Sequence, residues 1–269
     1  MTSFVSSLAS PPLSPLLRLR STYYRCWYEI SRGFTWIRRE YHEQPARALP
    51  ETLTPYQRHR IKTLQLTYGV HFEDQLHIST TLENYEYLDL LDQTKEKLGW
   101  EPDRNKELVD VGSLNFYYAP ALHAFFHPHT LQGIELEGYR VYTNFYSRFD
   151  YAQCYIRPFA NTSYTVMDFC NFTGSADGIT CFYPFVKPEP LVAWRLPLKV
   201  FQPQRMFERM AHSLRPEGFV LMMNHGEDEA QWACTFAQQN GLQLKSQPQP
   251  IPPLFPRADV PIISVWNRA

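Results

Sequence analysis

The spacing of apolar positions changes near residue 107. From there to the C-terminus, short apolar segments alternate with longer stretches whose apolar residues recur at helical spacing. Strands that alternate with helices indicate right-handed βαβ units and a mostly parallel sheet with helices on both faces. The seven predicted strands cover residues 107–111, 130–135, 164–167, 178–182, 218–224, 242–246 and 261–266. The predicted helices between them cover residues 119–126, 138–155, 203–214 and 227–240.

Residues 1–102 lack this alternation and are predicted to form a helical extension, or lid, in front of an α/β domain at 103–269. Helical spacing recurs at 55–68 and 82–98. The second of these helices carries four acidic residues, which we interpret as a solvated face. They are Glu83, Glu86, Asp89 and Asp92.

An aromatic and aliphatic stripe precedes these helices. Its members recur at steps of four and three, so a helix places them on one face. They are Tyr23, Trp27, Ile30, Phe34, Ile37 and Tyr41. Arg25, Arg32 and Arg39 form a basic stripe at steps of seven. Two interpretations remain open: the apolar face packs on the main domain, or residues 16–41 make a peripheral contact with a membrane or a partner.

Composition narrows the class of protein. The 26 basic residues nearly balance the 27 acidic ones, so no global charge indicates a nucleic-acid partner, and none is expected. The five cysteines are an odd number without a CxxC pair, which is typical of reduced thiols in a cytoplasmic protein. The histidines of HAFFHPH (His123, His127 and His129) lack the glutamate of a zinc-binding helix, and no metal site is expected.

Four segments carry a resemblance. In order they are LVDVGSLNFYYAPAL, LQGIELEGYR, SYTVMDFCNF and FERMAHSLRPEGFVLMM. Their order and spacing resemble those of class I S-adenosylmethionine-dependent methyltransferases over about 160 residues. The resemblance implies a Rossmann-like methyltransferase fold with a seven-stranded sheet, and S-adenosylmethionine as cofactor. The Leu-x-Pro-x-Gly sequence at 214–218 resembles the entry to the family's fifth strand.

The first segment is similar to the family's glycine-rich loop, which folds beneath the methionine and ribose groups of the cofactor. Asp110 and Gly112 match the pattern, and Ser113 and Asn115 of the same loop are predicted cofactor contacts. Glycine suits such a loop because the chain turns tightly and approaches the ligand without a Cβ. Leu114 and Phe116 replace the other two glycines. They predict a wider or differently bent loop and leave open whether Phe116 obstructs the cofactor.

The second and third segments resemble the family's ribose and adenine sites. By resemblance, Glu135 accepts hydrogen bonds from the ribose hydroxyls, for which a carboxylate is well suited. Asp168 is similar to the residue that binds the adenine amino group, and Phe169 to the apolar residue that covers the ring. The alternative interpretations are a surface acid for Glu135 and a turn-forming aspartate for Asp168.

Two further residues follow the fourth and fifth strands, where ligands of parallel sheets bind. Tyr183 is predicted to line the substrate pocket, and His225 to act as a general base for a hydroxyl acceptor. We therefore expect methyl transfer from S-adenosylmethionine to a small or medium-sized acceptor. The alternative is a catalytically silent Rossmann-like binding or scaffold module, associated with a membrane through its N-terminal helix.

Overall fold

The computed structural model describes residues 13–38 and 40–268. Residues 1–12, Arg39 of the predicted basic stripe and Ala269 lie outside the described residues. The strands of the described residues form one seven-stranded sheet in the order β3-β2-β1-β4-β5-β7-β6, and β7 alone runs in the direction opposite to the other six. The strands are β1 (Glu107–Val111), β2 (Thr130–Glu135), β3 (Thr162–Val166), β4 (Ala176–Phe182), β5 (Leu214–His225), β6 (Leu242–Pro250) and β7 (Pro261–Arg268). The predicted seven-stranded, mostly parallel sheet is confirmed.

Helices cover both faces of this sheet. They are α1 (Pro15–Arg32), α2 (Pro55–Tyr68), α3 (Ile78–Leu98), α4 (Ala119–Phe126), α5 (Arg148–Ile156), α6 (Pro188–Ala193), α7 (Pro203–Ser213) and α8 (Gly226–Gln239). Leu108 of β1 packs in the core that includes α2 to α5, whereas its neighbour Val109 packs in the core beneath α7 and α8. The alternation follows from the strand geometry, which directs successive side chains to opposite faces.

The helix predicted at 138–155 is shorter than its pattern indicated. The structure begins α5 at Arg148, where the Ser147 side chain accepts from the backbone N–H of Asp150 and the Asp150 carboxylate accepts from that of Ser147. This reciprocal cap satisfies N–H groups that have no partner within a helix. The preceding residues form an irregular turn closed by a bridge between Val141 and Ser147. The shorter helix places Arg148 at its first position, beside the end of β2.

The acidic face predicted for α3 is wrong at three of its four positions. Glu86, Asp89 and Asp92 are buried, and Arg60 of α2 pairs with the two aspartates. Burial of carboxylates requires partners. Charge spacing along one helix does not reveal a partner that comes from another helix.

The N-terminal helix differs most from its prediction. Helix α1 ends at Arg32, so Phe34 and Ile37 of the aromatic stripe lie outside it, and Tyr23, Trp27 and Ile30 are exposed. These five residues therefore do not pack on the main domain, whereas Tyr41, the last of the stripe, packs against Tyr146 and Tyr151. Other residues of α1, centred on buried Tyr28, contact α6 and the segment that follows it. No described helix is long and apolar enough to cross a membrane.

Candidate functional site

A cavity of about 400 Å³ opens where β1 to β5 end. This is the edge of a parallel sheet at which ligands bind, and the volume lies in the range of small-molecule sites. Six of the nine predicted site residues line it. They are Gly112, Glu135, Asp168, Phe169, Tyr183 and His225. Asp110, Ser113 and Asn115 are not among its lining residues.

The loop after β1 turns without the usual glycines. Gly112 has a φ of 77°, and a Cβ built on it would meet no atom within 4 Å. Its Cα therefore faces open space in the cavity wall. Leu114 and Phe116 adopt the left-handed conformation as well, with φ values of 53° and 56°. The loop is thus closely bent although two of its three left-handed residues carry side chains.

Phe116 does not enter the cavity. Its ring is fully buried and packs against Tyr118 and Tyr164. The ring also occupies the space beside Gly133 of β2, where a Cβ would lie 2.7 Å from it. Phe116 is therefore a core residue, and its side chain does not line the cavity.

Asp110 and Ser113 support the loop from beneath. The fully buried Asp110 carboxylate accepts hydrogen bonds from Thr180 (2.6 Å) and Tyr118 (2.7 Å). The Ser113 hydroxyl donates to the Asp110 carbonyl oxygen (2.9 Å). Burial raises the pKa of Asp110 to about 6. Neither side chain lines the cavity, and the predicted direct contacts of these two residues with the cofactor are not supported. Asn115 also lies outside the cavity lining, and its amide oxygen is buried without a hydrogen-bond partner among the described residues.

Glu135 lines the cavity at the end of β2, but the protein already engages its carboxylate. One oxygen accepts from Arg148 and from the Glu137 backbone N–H, both at 2.9 Å, and the other accepts from the Leu114 backbone N–H at 2.9 Å. A carboxylate offers about four acceptor positions, so one remains for a ligand. Arg148 was not predicted. Its side chain is 6% exposed and lines the cavity, and its Nε has no hydrogen-bond partner among the described residues.

Asp168 and Phe169 follow β3 on the same side of the cavity. One Asp168 oxygen accepts from the Cys170 backbone N–H (2.9 Å) and caps a short 3₁₀ turn, as the turn interpretation expected. The cap uses one oxygen, and the half-buried residue still lines the cavity. The Phe169 ring stacks on Phe172 and forms an apolar wall beside it.

Tyr183 and His225 meet at the opposite end of the cavity. Their rings stack with centroids 4.0 Å apart. Arg257 donates to the Tyr183 hydroxyl (3.0 Å) and lies 3.8 Å from the buried Glu86 carboxylate. Burial, opposed by Arg257, raises the pKa of Tyr183 to about 12. Burial and the Arg257 charge lower the pKa of His225 below its ordinary value, so the imidazole is neutral at pH 7.

The remaining wall comes from the proline-rich segment between β4 and α7, which contributes Phe185, Trp194, Leu196, Phe201 and other apolar residues. Helix α1 packs on this segment from outside through Tyr28. Neither Arg148 nor Arg257 stands in a recognisable motif. Only the fold brings these two cations to the ends of the cavity.

Comparison with known proteins identifies relatives by structure alone. No family model and no curated protein matches the sequence. A methyltransferase from Pyrococcus furiosus aligns over 80% of this chain and 98% of its own, with 15% identity and a TM-score of 0.48. An N-methyltransferase from Bradyrhizobium japonicum aligns over 70% and 96%, with 12% identity and a TM-score of 0.44. A proposed RNA methyltransferase from Pyrococcus horikoshii aligns over 68% and 83%, with 13% identity and a TM-score of 0.44.

The strand order β3-β2-β1-β4-β5-β7-β6, with helices on both faces of the sheet, makes this a Rossmann-like, doubly wound α/β fold. At identities of 15% and below and TM-scores below 0.5, these likenesses carry no conclusion about what this chain does. The expectation that nucleic acid is not a partner is not supported by these comparisons and stays a prediction.

Proposed function

We propose that this protein binds S-adenosylmethionine and transfers its methyl group to a small or medium-sized acceptor. The observation that carries the proposal is the convergence of Gly112, Glu135 and Asp168 on one cavity. These residues end three adjacent parallel strands. Gly112 offers a surface without a Cβ, Glu135 a carboxylate for the ribose diol, and Asp168 a carboxylate for the adenine amino group. This is the order of the groups along one nucleoside.

The residues present fit this ligand. The open space in front of Gly112 leaves room for a group against the backbone, and Phe169 provides an apolar wall for a base. Glu135 retains one acceptor position, and Arg148 Nε is a donor without a partner. We infer that Glu135 would hold a ribose hydroxyl through this acceptor position, beside the Arg148 guanidinium.

When bound, S-adenosylmethionine would supply a methyl group on a sulfonium for in-line transfer to an acceptor nucleophile, with S-adenosylhomocysteine as the leaving group. The chain's own contribution is mainly to hold the acceptor in position and to exclude water with the apolar wall. His225 is neutral at pH 7 and accepts the proton that a hydroxyl acceptor releases. Tyr183 stacks on His225 and fixes the plane of the imidazole.

The alternative is a module with this fold that binds no S-adenosylmethionine. The ion pair between Glu135 and Arg148 favours it, because a carboxylate that is already paired gains less from a ligand. Calorimetric titration with S-adenosylmethionine and S-adenosylhomocysteine separates the two. We expect binding that Asp168→Ala weakens and that Asp103→Ala, an exposed acid outside the cavity, leaves unchanged. No binding at millimolar ligand refutes methyl transfer and supports the alternative.

If cofactor binds, the acceptor is sought with radiolabelled methyl groups and fractionated cell extracts. Label should enter a product with the wild-type protein and not with His225→Gln, which keeps the cofactor residues intact. Equal labelling by both proteins would exclude His225 as the base.

A further inference from the structure

Helix α1 presents two apolar faces, and the main domain covers only one of them. Tyr24 and Tyr28 on one face pack against α6 and the segment that follows it, and the Ser21 hydroxyl accepts from the Leu198 backbone N–H (2.8 Å). The second face is a row at helical spacing, here called the α1 ridge. It consists of Leu16, Leu19, Tyr23, Trp27 and Ile30, which are between 56% and 69% exposed.

The apolar surface continues beyond the end of α1. Phe34 and Ile37 are 65% and 58% exposed, and Trp36 donates to the backbone carbonyl of the exposed Phe145 (3.0 Å). Eight of the 14 exposed large apolar residues in the described part of the chain lie between residues 16 and 37. Apolar side chains concentrated in this way mark an interaction site, whereas single exposed ones are ordinary.

Charge indicates what covers this surface. Arg18, Arg20, Arg25 and Arg32 of α1 are exposed, and no carboxylate of a described residue forms an ion pair with them. The single acid of the helix, Glu29, is neutralised by Lys199. The helix therefore combines an apolar row that includes tryptophan and tyrosine with unpaired arginines, the combination that binds in the plane of an anionic bilayer.

We propose that α1 docks on the surface of a membrane that contains anionic lipids, with the α1 ridge in the interfacial layer. The helix lies on the surface, because the described chain holds no helix able to cross it. The face around Tyr28 stays on the cavity wall, so docking holds the cavity next to the lipid surface. The proposal concerns the outer face of α1 and holds whether or not the cavity binds S-adenosylmethionine.

Vesicle flotation with the full chain tests this surface. We expect the protein to float with vesicles of phosphatidylcholine and phosphatidylglycerol and to bind those of phosphatidylcholine alone at least about tenfold less, because the arginines require anionic headgroups. The triple variant Tyr23→Ser, Trp27→Ser, Ile30→Ser should lose binding by at least about tenfold through lost apolar burial. Raising the salt concentration should release the wild-type protein.

The matched control is the double variant Tyr56→Ser, Leu66→Ser, which removes equally exposed apolar residues from α2. It should float like the wild-type protein, and its circular dichroism spectrum should match that of the α1 variant. Wild-type protein that stays with the soluble fraction at every lipid composition would overturn the proposal. A dimer in sedimentation velocity that the α1 variant abolishes, without vesicle binding, would assign the ridge to a second copy of the chain.

Discussion

Replacing Gly112 by alanine tests whether a ligand rests on the loop after β1. The residue has a φ of 77°, where a side chain costs about 1 to 2 kcal/mol. For a chain of this size, that cost lowers Tm by about 2 to 8 °C. The added methyl group meets no protein atom within 4 Å, so the variant should fold with no further penalty.

The same methyl group projects into the cavity, where a ligand in contact with the Gly112 backbone must move away from it. We expect the affinity for S-adenosylmethionine to fall by at least about tenfold, which corresponds to 1.4 kcal/mol. Calorimetric titration gives the affinity, and thermal unfolding without ligand gives the stability.

Gly69→Ala is the control for backbone strain. Gly69 ends α2 with a φ of 66° and equally open surroundings, and it does not line the cavity. It should show a similar loss in Tm and an unchanged affinity. Equal affinities of Gly112→Ala and the wild-type protein, with the expected loss of Tm in both variants, would refute the placement of the ligand on this loop.

Three further predictions concern buried groups, each measured by urea unfolding. Glu135→Gln should lower the free energy of unfolding by about 3 kcal/mol, because Arg148 loses its buried partner. The control is Glu101→Gln, which removes the acid of an exposed ion pair and should change the free energy of unfolding little. Equal effects of the two variants would contradict the burial of the ion pair between Glu135 and Arg148. The pKa of Asp110 is higher in the folded chain than in the unfolded chain. The protonated carboxyl therefore stabilises the folded state at pH 4, and this stabilisation is lost as the pH rises through 6. Between pH 4 and pH 8, the free energy of unfolding of the wild-type protein should fall by on the order of 3 kcal/mol relative to that of Asp110→Asn. A difference between the two free energies that does not change with pH would exclude this titration. Phe116→Ala should lower the free energy of unfolding by about 3 to 5 kcal/mol because its ring fills the core, and it should not increase the affinity for the cofactor. Tighter cofactor binding by this variant would place the ring in the cavity.

Much of the candidate site could be located from the sequence because its residues end strands. Glu135, Tyr183 and His225 each close or follow an apolar segment, and a parallel sheet brings such ends to one edge. Arg148 and Arg257 could not be located in this way. Neither arginine belongs to a motif, and the role of each depends on a partner from another element, Glu135 of β2 for Arg148 and Tyr183 after β4 for Arg257.

The sequence by itself determined the fold class, since the alternation of apolar strands and helices requires a sheet covered on both faces. Tertiary structure decided where side chains point within that frame. Phe116 fills the core because the space beside Gly133 has no side chain of its own. The apolar row of α1 is exposed because another face of the same helix packs on the cavity wall. Periodicity identifies apolar faces, and only three-dimensional contacts determine which of them the protein buries.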